Sequence, residues 1–305
     1  MHSAEQIIQQ LEAAGFQAAF LPMGAMEQIK EHYSSLSARA PETGTATRAA
    51  AYFHENQPPK LDFEPRSFLV IALPPGQAGK LALTRRGRRV EVPIMPFKPV
   101  GENQEERLKE LLAGVSLGHT RGISQKLLAA LSGLGQYGRN NICYVGDWGT
   151  YAGLDAFYTD IPCEGTRFEG TVYPDVRLKA CEGCNLCRAA CPTGAIGEQQ
   201  VIDANRCLTG RNENPGRMPR WVPKGAHHVL IGCARCQECC PQNPVIDYDS
   251  HVLALDEAET RRLLSPGKKY PKALERKLRA FGLDDWHLRL IKRNARLVVK
   301  AKEAK

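Results

Sequence analysis

Apolar residues recur along the chain with two periods, and the alternation between them outlines its elements. Ile7, Ile8 and Leu11 lie on one face of a helical repeat that opens at Ser3, with Gln6 three positions on as the second half of a capping box, and closes before Gly15. A second helix is expected over Met26–Leu36, after which the polar, proline-bearing stretch from Ser35 to Lys60 reads as loop. Ser67–Leu73 is a short unbroken apolar run closed by Pro74, Pro75 and Gly76, the signature of a strand buried on both faces. A hairpin follows between Leu81 and Pro96, turning at Arg85-Arg86-Gly87-Arg88. Leucines at helical spacing predict helices over Glu105–Ala113 and Ile123–Ser132, the second stopped by Gly133 and Gly135. Ile142–Val145 and Leu154–Thr159 read as strands. Helices and strands mixed in this order predict an α/β fold for residues 1–175.

Two features of composition change this picture. Eleven of the 305 residues are cysteine, and nine of those fall between Cys181 and Cys240, which sets off a module at about 176–248. The net charge of +8 is also uneven: Arg261–Lys305 holds fifteen Lys/Arg and four Asp/Glu, so residues 249–305 are expected to form a basic, helical tail. Such a tail could attract a polyanion such as RNA, or it could be a solvated helix face. Apolar and charged fractions of 43% and 24% exclude wholesale disorder. No run approaches the roughly 18 apolar residues of a membrane span, and no export signal is visible, so a reducing cytoplasm is expected, where clustered cysteines hold metal more often than they form disulfides.

The spacing of the cysteines carries the chemistry. Cys181, Cys184, Cys187 and Cys191-Pro192 stand in the bacterial ferredoxin pattern, and Cys233, Cys236, Cys239 and Cys240-Pro241 form a second run. A 4Fe–4S cube presents four iron corners; three thiolates on one tight loop cap three corners of one cube, and the trailing Cys-Pro reaches the other. Reciprocal pairing puts Cys181, Cys184, Cys187 and Cys240 on one cluster, and Cys191, Cys233 and Cys236 on the second. Spacing leaves the eighth ligand open between Cys207 and Cys239. Structural zinc also takes four cysteines, but favours two CxxC pairs over a repeated CxxCxxC run.

Around this module the sequence resembles the epoxyqueuosine reductases, cobalamin-dependent enzymes of tRNA modification, and more distantly the corrinoid reductive dehalogenases. The matching residues are Cys191-Pro-Thr-Gly-Ala-Ile196, Val201-Ile-Asp203 leading to Cys207, Gly232-Cys233, Cys240-Pro241 with Asn243, the glycine turn Gly133-Leu-Gly135 with Gly138-Arg139-Asn140, Gly149-Thr-Tyr151, Asp160-Ile-Pro162, and Arg293-Asn294 ahead of an apolar run. The resemblance implies a nitroreductase-like domain with a two-cluster ferredoxin-like module, and it selects Cys207 as the eighth ligand, leaving Cys239 as a spare thiol. It implies a base-off cobalamin bordered by Gly135, Gly138, Cys143 and Leu154, with Cys143 equally readable as a small buried residue. It also implies electrons from an external donor and a small-molecule or tRNA substrate.

Two positions depart from that family. His119 stands where it has an aspartate proton donor, and Leu83–Arg89 replaces a Tyr-Ala-Arg-Gly-Arg-Asp-Tyr-His stretch. An imidazole titrates near neutral pH and can still supply a proton. The alternatives to a reductase are a corrinoid-free electron carrier or corrinoid-protein activator, and an RNA-binding protein whose clusters are structural. Trp148, Trp221 and Trp286 could line a planar cofactor but are expected in the core, and His227-His228, which could approach a cluster or cofactor, are expected in an exposed loop.

Overall fold

The computed structural model describes residues 3–39, 45–57, 59–97, 104–163, 176–197, 202–267 and 269–303. In chain order its elements are α1 (Ala4–Ala13), β1 (Gln17–Pro22), α2 (Met26–Arg39), α3 (Thr45–Glu55), β2 (Ser67–Leu73), β3 (Gln77–Arg85), β4 (Arg88–Phe97), α4 (Gln104–Leu111), β5 (Leu117–His119) and α5 (Gln125–Leu131). Next come β6 (Gln136–Tyr137), β7 (Cys143–Tyr144), β8 (Gly153–Thr159), α6 (Leu186–Ala190), α7 (Leu208–Asn212), α8 (Arg235–Glu238), β9 (Val252–Leu255), α9 (Glu257–Leu264), α10 (Lys272–Ala280) and α11 (Asp285–Glu303). They fall into two compact units, neither continuous in sequence: Met1–Pro74, Gln104–Asn185 and Ile196–Asp203 make one, and Pro75–Asn103, Leu186–Ala195 and Ala204–Lys305 the other. The boundary anticipated at residue 175 lies outside the described residues, as does Val201.

The first unit is an α/β layer structure about the antiparallel sheet β1-β2-β8-β5. Every residue of β2 is buried because its alternating side chains serve two cores. Phe68, Val70 and Ala72 face Ile29 and Tyr33 of α2, Phe53 of α3 and the leucines of α5. Leu69, Ile71 and Leu73 face Ile7 and Leu11 of α1 and Leu108 of α4. The capping box closes α1: Gln6 N donates to Ser3 Oγ at 3.2 Å and Ser3 N to Gln6 Oε1 at 2.9 Å. The expected loop from Ser35 to Lys60 is instead largely helical. α2 runs on to Arg39, and α3 is held by Phe53, whose ring stacks on Tyr33 at 4.3 Å. Few apolar residues mark α3, so tertiary burial of one aromatic does what the pattern did not announce.

The second unit is built on the hairpin β3–β4, with β9 added parallel to β3. The basic tail is therefore not wholly helical; it opens with a strand. Leu81, Leu83, Val92 and Ile94 from the hairpin pack against Leu263 of α9, Leu274 and Leu278 of α10, and Leu288, Ile291, Ala295 and Val298 of α11. The hairpin turns at Arg86 (φ +50°) and Gly87 (φ +70°), two left-handed residues as a two-residue type I′ turn demands. The Glu257 carboxylate accepts from both turn amides, at 2.9 and 3.3 Å.

Candidate iron–sulfur site and its surroundings

The glycine turn leads to the first cysteine of the module. α5 ends at Leu131, Gly133 follows in the left-handed region with φ +76°, and β6 then pairs with β7. Gly135 lies against that partner: a Cβ there would stand 2.5 Å from Cys143 Sγ and 2.9 Å from the Tyr144 carbonyl oxygen. A side chain on Gly138 would meet the Tyr144 ring and Asn140 Oδ1. Beyond the turn, Tyr137 N donates to the Val176 carbonyl at 2.7 Å and Leu178 N to the Tyr137 carbonyl at 2.9 Å, which aligns the approach to Cys181. Arg139 completes the junction, its amide donating to Cys181 Sγ at 3.4 Å and its Nη2 to the Cys181 carbonyl at 3.0 Å.

The other cysteines lie on short helices and tight turns. Cys187 is buried in α6, and Cys191 follows it with Ala195 N donating to its Sγ at 3.3 Å. Cys207 is the N-cap of α7, Cys236 lies within α8, and Cys239 caps the C-terminus of α8 just before Cys240. Burial pushes the Cys233 thiol up to about 11, and the charges of Cys207 and Cys191 push in the same direction. The Cys236 thiol is raised further, first by burial and then by Cys233, Cys207, Cys187 and Cys191. Thiols so placed ionise only when a cation compensates them, and the iron of a cluster is such a cation. Amide-to-sulfur hydrogen bonds such as those to Cys181 and Cys191 are also the kind that tune cluster potentials. Among the described residues no three His, Cys, Asp or Glu side chains gather closely enough to hold a single metal ion. The cubane differs in that each thiolate takes its own iron corner.

Residues 180–243 match the family described as a 4Fe-4S double cluster binding domain. The segment is a double-cluster iron–sulfur module. Around it the chain resembles epoxyqueuosine reductases. It is 32% identical to the one from Gloeobacter violaceus over 127 residues, 41% of this chain, and 30% identical to the one from Bacillus subtilis over 153 residues, 50% of this chain. Each alignment spans 37% of the relative's own length. The fold likeness extends further. The epoxyqueuosine reductase from Streptococcus thermophilus superposes with a TM-score of 0.67 at 19% identity, covering 99% of this chain and 82% of that one. An epoxyqueuosine reductase solved with an epoxyqueuosine-modified tRNA-Tyr stem loop gives 0.63 at 20% identity, covering 98% and 82%.

Outside the module, the anticipated residues have mixed surroundings. His119 ends the edge strand β5, exposed, with its ring 5.2 Å from that of Phe157. Leu154 is half-buried on β8. Cys143 is buried, and burial raises its thiol to about 12. Two expectations are corrected. His227 is buried, not exposed; burial, Arg293 and His228 hold it down at about 4. Trp221 and Trp286 are exposed, at 45% and 42%, while Trp148 packs against the core of the first unit. Trp221 carries Arg206 and Arg211 over its ring at 5.6 and 5.9 Å, within cation–π range.

Sequence reading also missed a basic cleft of about 1050 Å³ in the second unit. Among the described residues Arg85, Arg86, Arg88 and Arg89 of the hairpin line it, with Val90, Glu91, Lys302 and Glu303. Arg85 pairs with Glu303 at 3.3 Å and Arg89 with Glu91 at 3.2 Å. The carboxylate of Glu257 serves the turn's backbone, which leaves the Arg86 side chain directed to solvent.

Proposed function

We propose that the chain is an iron–sulfur reductase of the epoxyqueuosine-reductase type, acting on an electrophilic group carried by RNA. The observation that carries this reading is a double-cluster module within a chain whose fold follows those reductases almost from end to end. In the proposed ligand sets, Cys181, Cys184, Cys187 and Cys240 hold one cluster, and Cys191, Cys207, Cys233 and Cys236 the other. The charges of Cys207 and Cys191 acting on both Cys233 and Cys236 are compatible with this second set.

When bound, the clusters supply one-electron transfer from an external donor, and a base-off cobalamin supplies a strongly reducing cobalt centre. The chain's own residues would do the rest. The backbone at Gly135 and Gly138, together with Leu154, would border the corrin. Both glycines are buried, and the space a side chain would take at either is filled by Cys143, Tyr144 and Asn140. Cys143 is buried on β7 with its Sγ against Gly135, which suits it to support this border from behind. His119, exposed at the end of β5, would hand a proton to the reduced product. The basic cleft supports an RNA substrate: arginine forks match phosphate geometry, and four arginines and a lysine line it against two glutamates.

Anaerobic purification with cobalamin present tests the reading. The expected spectrum has base-off corrinoid bands above broad iron–sulfur absorption. A preparation with both clusters that retains no corrinoid at high cobalamin concentration would sink the reductase and favour an electron carrier.

A further inference from the structure

The Arg293-Asn294 pair of α11 stands far from every cysteine in sequence, yet its hydrogen bonds all go to the two arms that carry Cys207 and Cys233. Arg293 uses each of its five N–H donors. Nη2 donates to the carbonyls of Arg211 and Asn212, both at 2.9 Å. Nη1 donates to those of Asn214 and Gly216, at 2.7 and 2.9 Å. Nε donates to Asn294 Oδ1 at 2.9 Å. These four carbonyls belong to the C-terminus of α7 and the turn after it, where unsatisfied carbonyls favour a cation. A five-residue helix has too few internal bonds to persist alone, and this one begins at Cys207.

Asn294 ties the second arm to the first. Its Nδ2 donates to the Asn212 carbonyl at 3.0 Å and to the Leu230 carbonyl at 2.8 Å, and the side chain is fully buried. Asn212 answers from α7, its own Nδ2 donating to the Gly232 carbonyl at 2.7 Å, one residue before Cys233. Leu230 N is fixed in turn by the Pro93 carbonyl of β4 at 2.7 Å. The separation of the Cys207 arm from the Cys233 arm is thus set by three side chains, two of them on α11.

We propose that Arg293 and Asn294 are positioning residues for the second cluster: they fix the Cys207 arm against the Cys233 arm so that both thiolates reach the same cube. The proposal rests on the ligand set given above. A lysine cannot reproduce the planar five-donor fork, so Arg293→Lys keeps the charge and loses the geometry. Asn294→Asp keeps the acceptor for Arg293 and turns the Nδ2 donor into an oxygen facing two carbonyls.

The test uses the anaerobically purified full chain, with iron per chain, the electron paramagnetic resonance of the reduced protein and the midpoint potentials of both clusters as readouts. Wild type should hold about eight irons. Arg293→Lys and Asn294→Asp should each alter the signal and potential of one cluster and lose up to about four irons, leaving the other cluster's signal unchanged. Adding Cys207→Ala to Arg293→Lys should damage only that same cluster, with a total loss of no more than about four irons. If both variants keep about eight irons with unaltered signals and potentials, even at a lower melting temperature, the pair is merely structural and the proposal fails. Equal damage to both clusters would overturn it as well. If Arg293→Lys gives no soluble protein, Asn294→Asp decides between the same outcomes. The ligand set has its own control: full iron in Cys207→Ala alone would overturn that assignment, whatever the clamp variants do.

Discussion

Gly135 illustrates how a single missing side chain fixes local geometry. The chain passes so close to β7 that a methyl group would meet the Cys143 sulfur at 2.5 Å and the Tyr144 carbonyl at 2.9 Å. Gly135→Ala should therefore cost about 1–3 kcal/mol by overpacking. Cys143→Ala should return part of that in the double variant by removing one of the two clashes, and denaturant melts of all four proteins measure the coupling. Strictly additive losses would mean that the two residues do not touch. The glycine turn was legible as a helix stop, because Gly133 acts on its own backbone. The reason for Gly135 was not, since it depends on a strand that begins eight residues away. His227 shows the same limit. Nothing local says that it is buried, and it was expected in solvent. An ordinary imidazole takes up its proton near 6.5, whereas burial and Arg293 lower this one to about 4. Between those values the unfolded chain binds the extra proton, so stability is complete above about pH 6.5 and falls as the pH drops toward 4, by up to roughly 3 kcal/mol. His227→Asn should flatten that part of the melting-temperature profile relative to wild type. Parallel acid limbs for the two proteins would refute the assignment.

At the scale of elements, legibility follows how local each signal is. The capping box of α1, the doubly buried β2 and the arginine turn of the hairpin are written in consecutive residues, and each stands where the pattern puts it. α3 was read as loop because its helix depends on Phe53 reaching Tyr33, and β9 was missed because a four-residue strand added beside β3 is too short to show a period. The cysteine arms lie between these cases. The two runs are recognisable by spacing, while the eighth ligand depends on α7, whose five residues carry no periodicity. Cys207→Ala should lose about half the iron and Cys239→Ala almost none, measured as iron per chain after anaerobic purification. The reverse pattern would move the eighth ligand to α8. Burial raises the pKa of the Glu213 carboxyl at the C-cap of α7, and the buried Asn212 Oδ1 accepts no hydrogen bond from the described residues. Such a helix keeps its place by tertiary hydrogen bonds rather than propensity, which is why the Arg293 fork matters more than any residue within it.

Across the whole molecule, the excess positive charge does not act where it is counted. Fifteen basic residues lie between Arg261 and Lys305, but several are committed internally. Lys277 pairs with Glu259, Arg279 with Glu275 and Asp285, Lys292 is buried against the Lys269 carbonyl and the Tyr270 ring, and Arg293 clamps α7. Removing this tail to test RNA binding would delete α10 and α11 from the core and report on folding instead. The informative residues are those of the hairpin tip, where Arg86 and Arg88 are exposed beside the open cleft. If the proposed RNA substrate lays its backbone there, the affinity for a tRNA anticodon stem loop should fall steeply with salt. The slope of log K against log salt should shrink by about 1 for each phosphate contact removed. Arg86→Glu with Arg88→Glu should therefore weaken binding strongly at low salt and flatten the slope by about 2, while leaving iron content and melting temperature close to wild type, because neither side chain supports the core. Binding with unchanged affinity and slope would show that the cleft is not the RNA site.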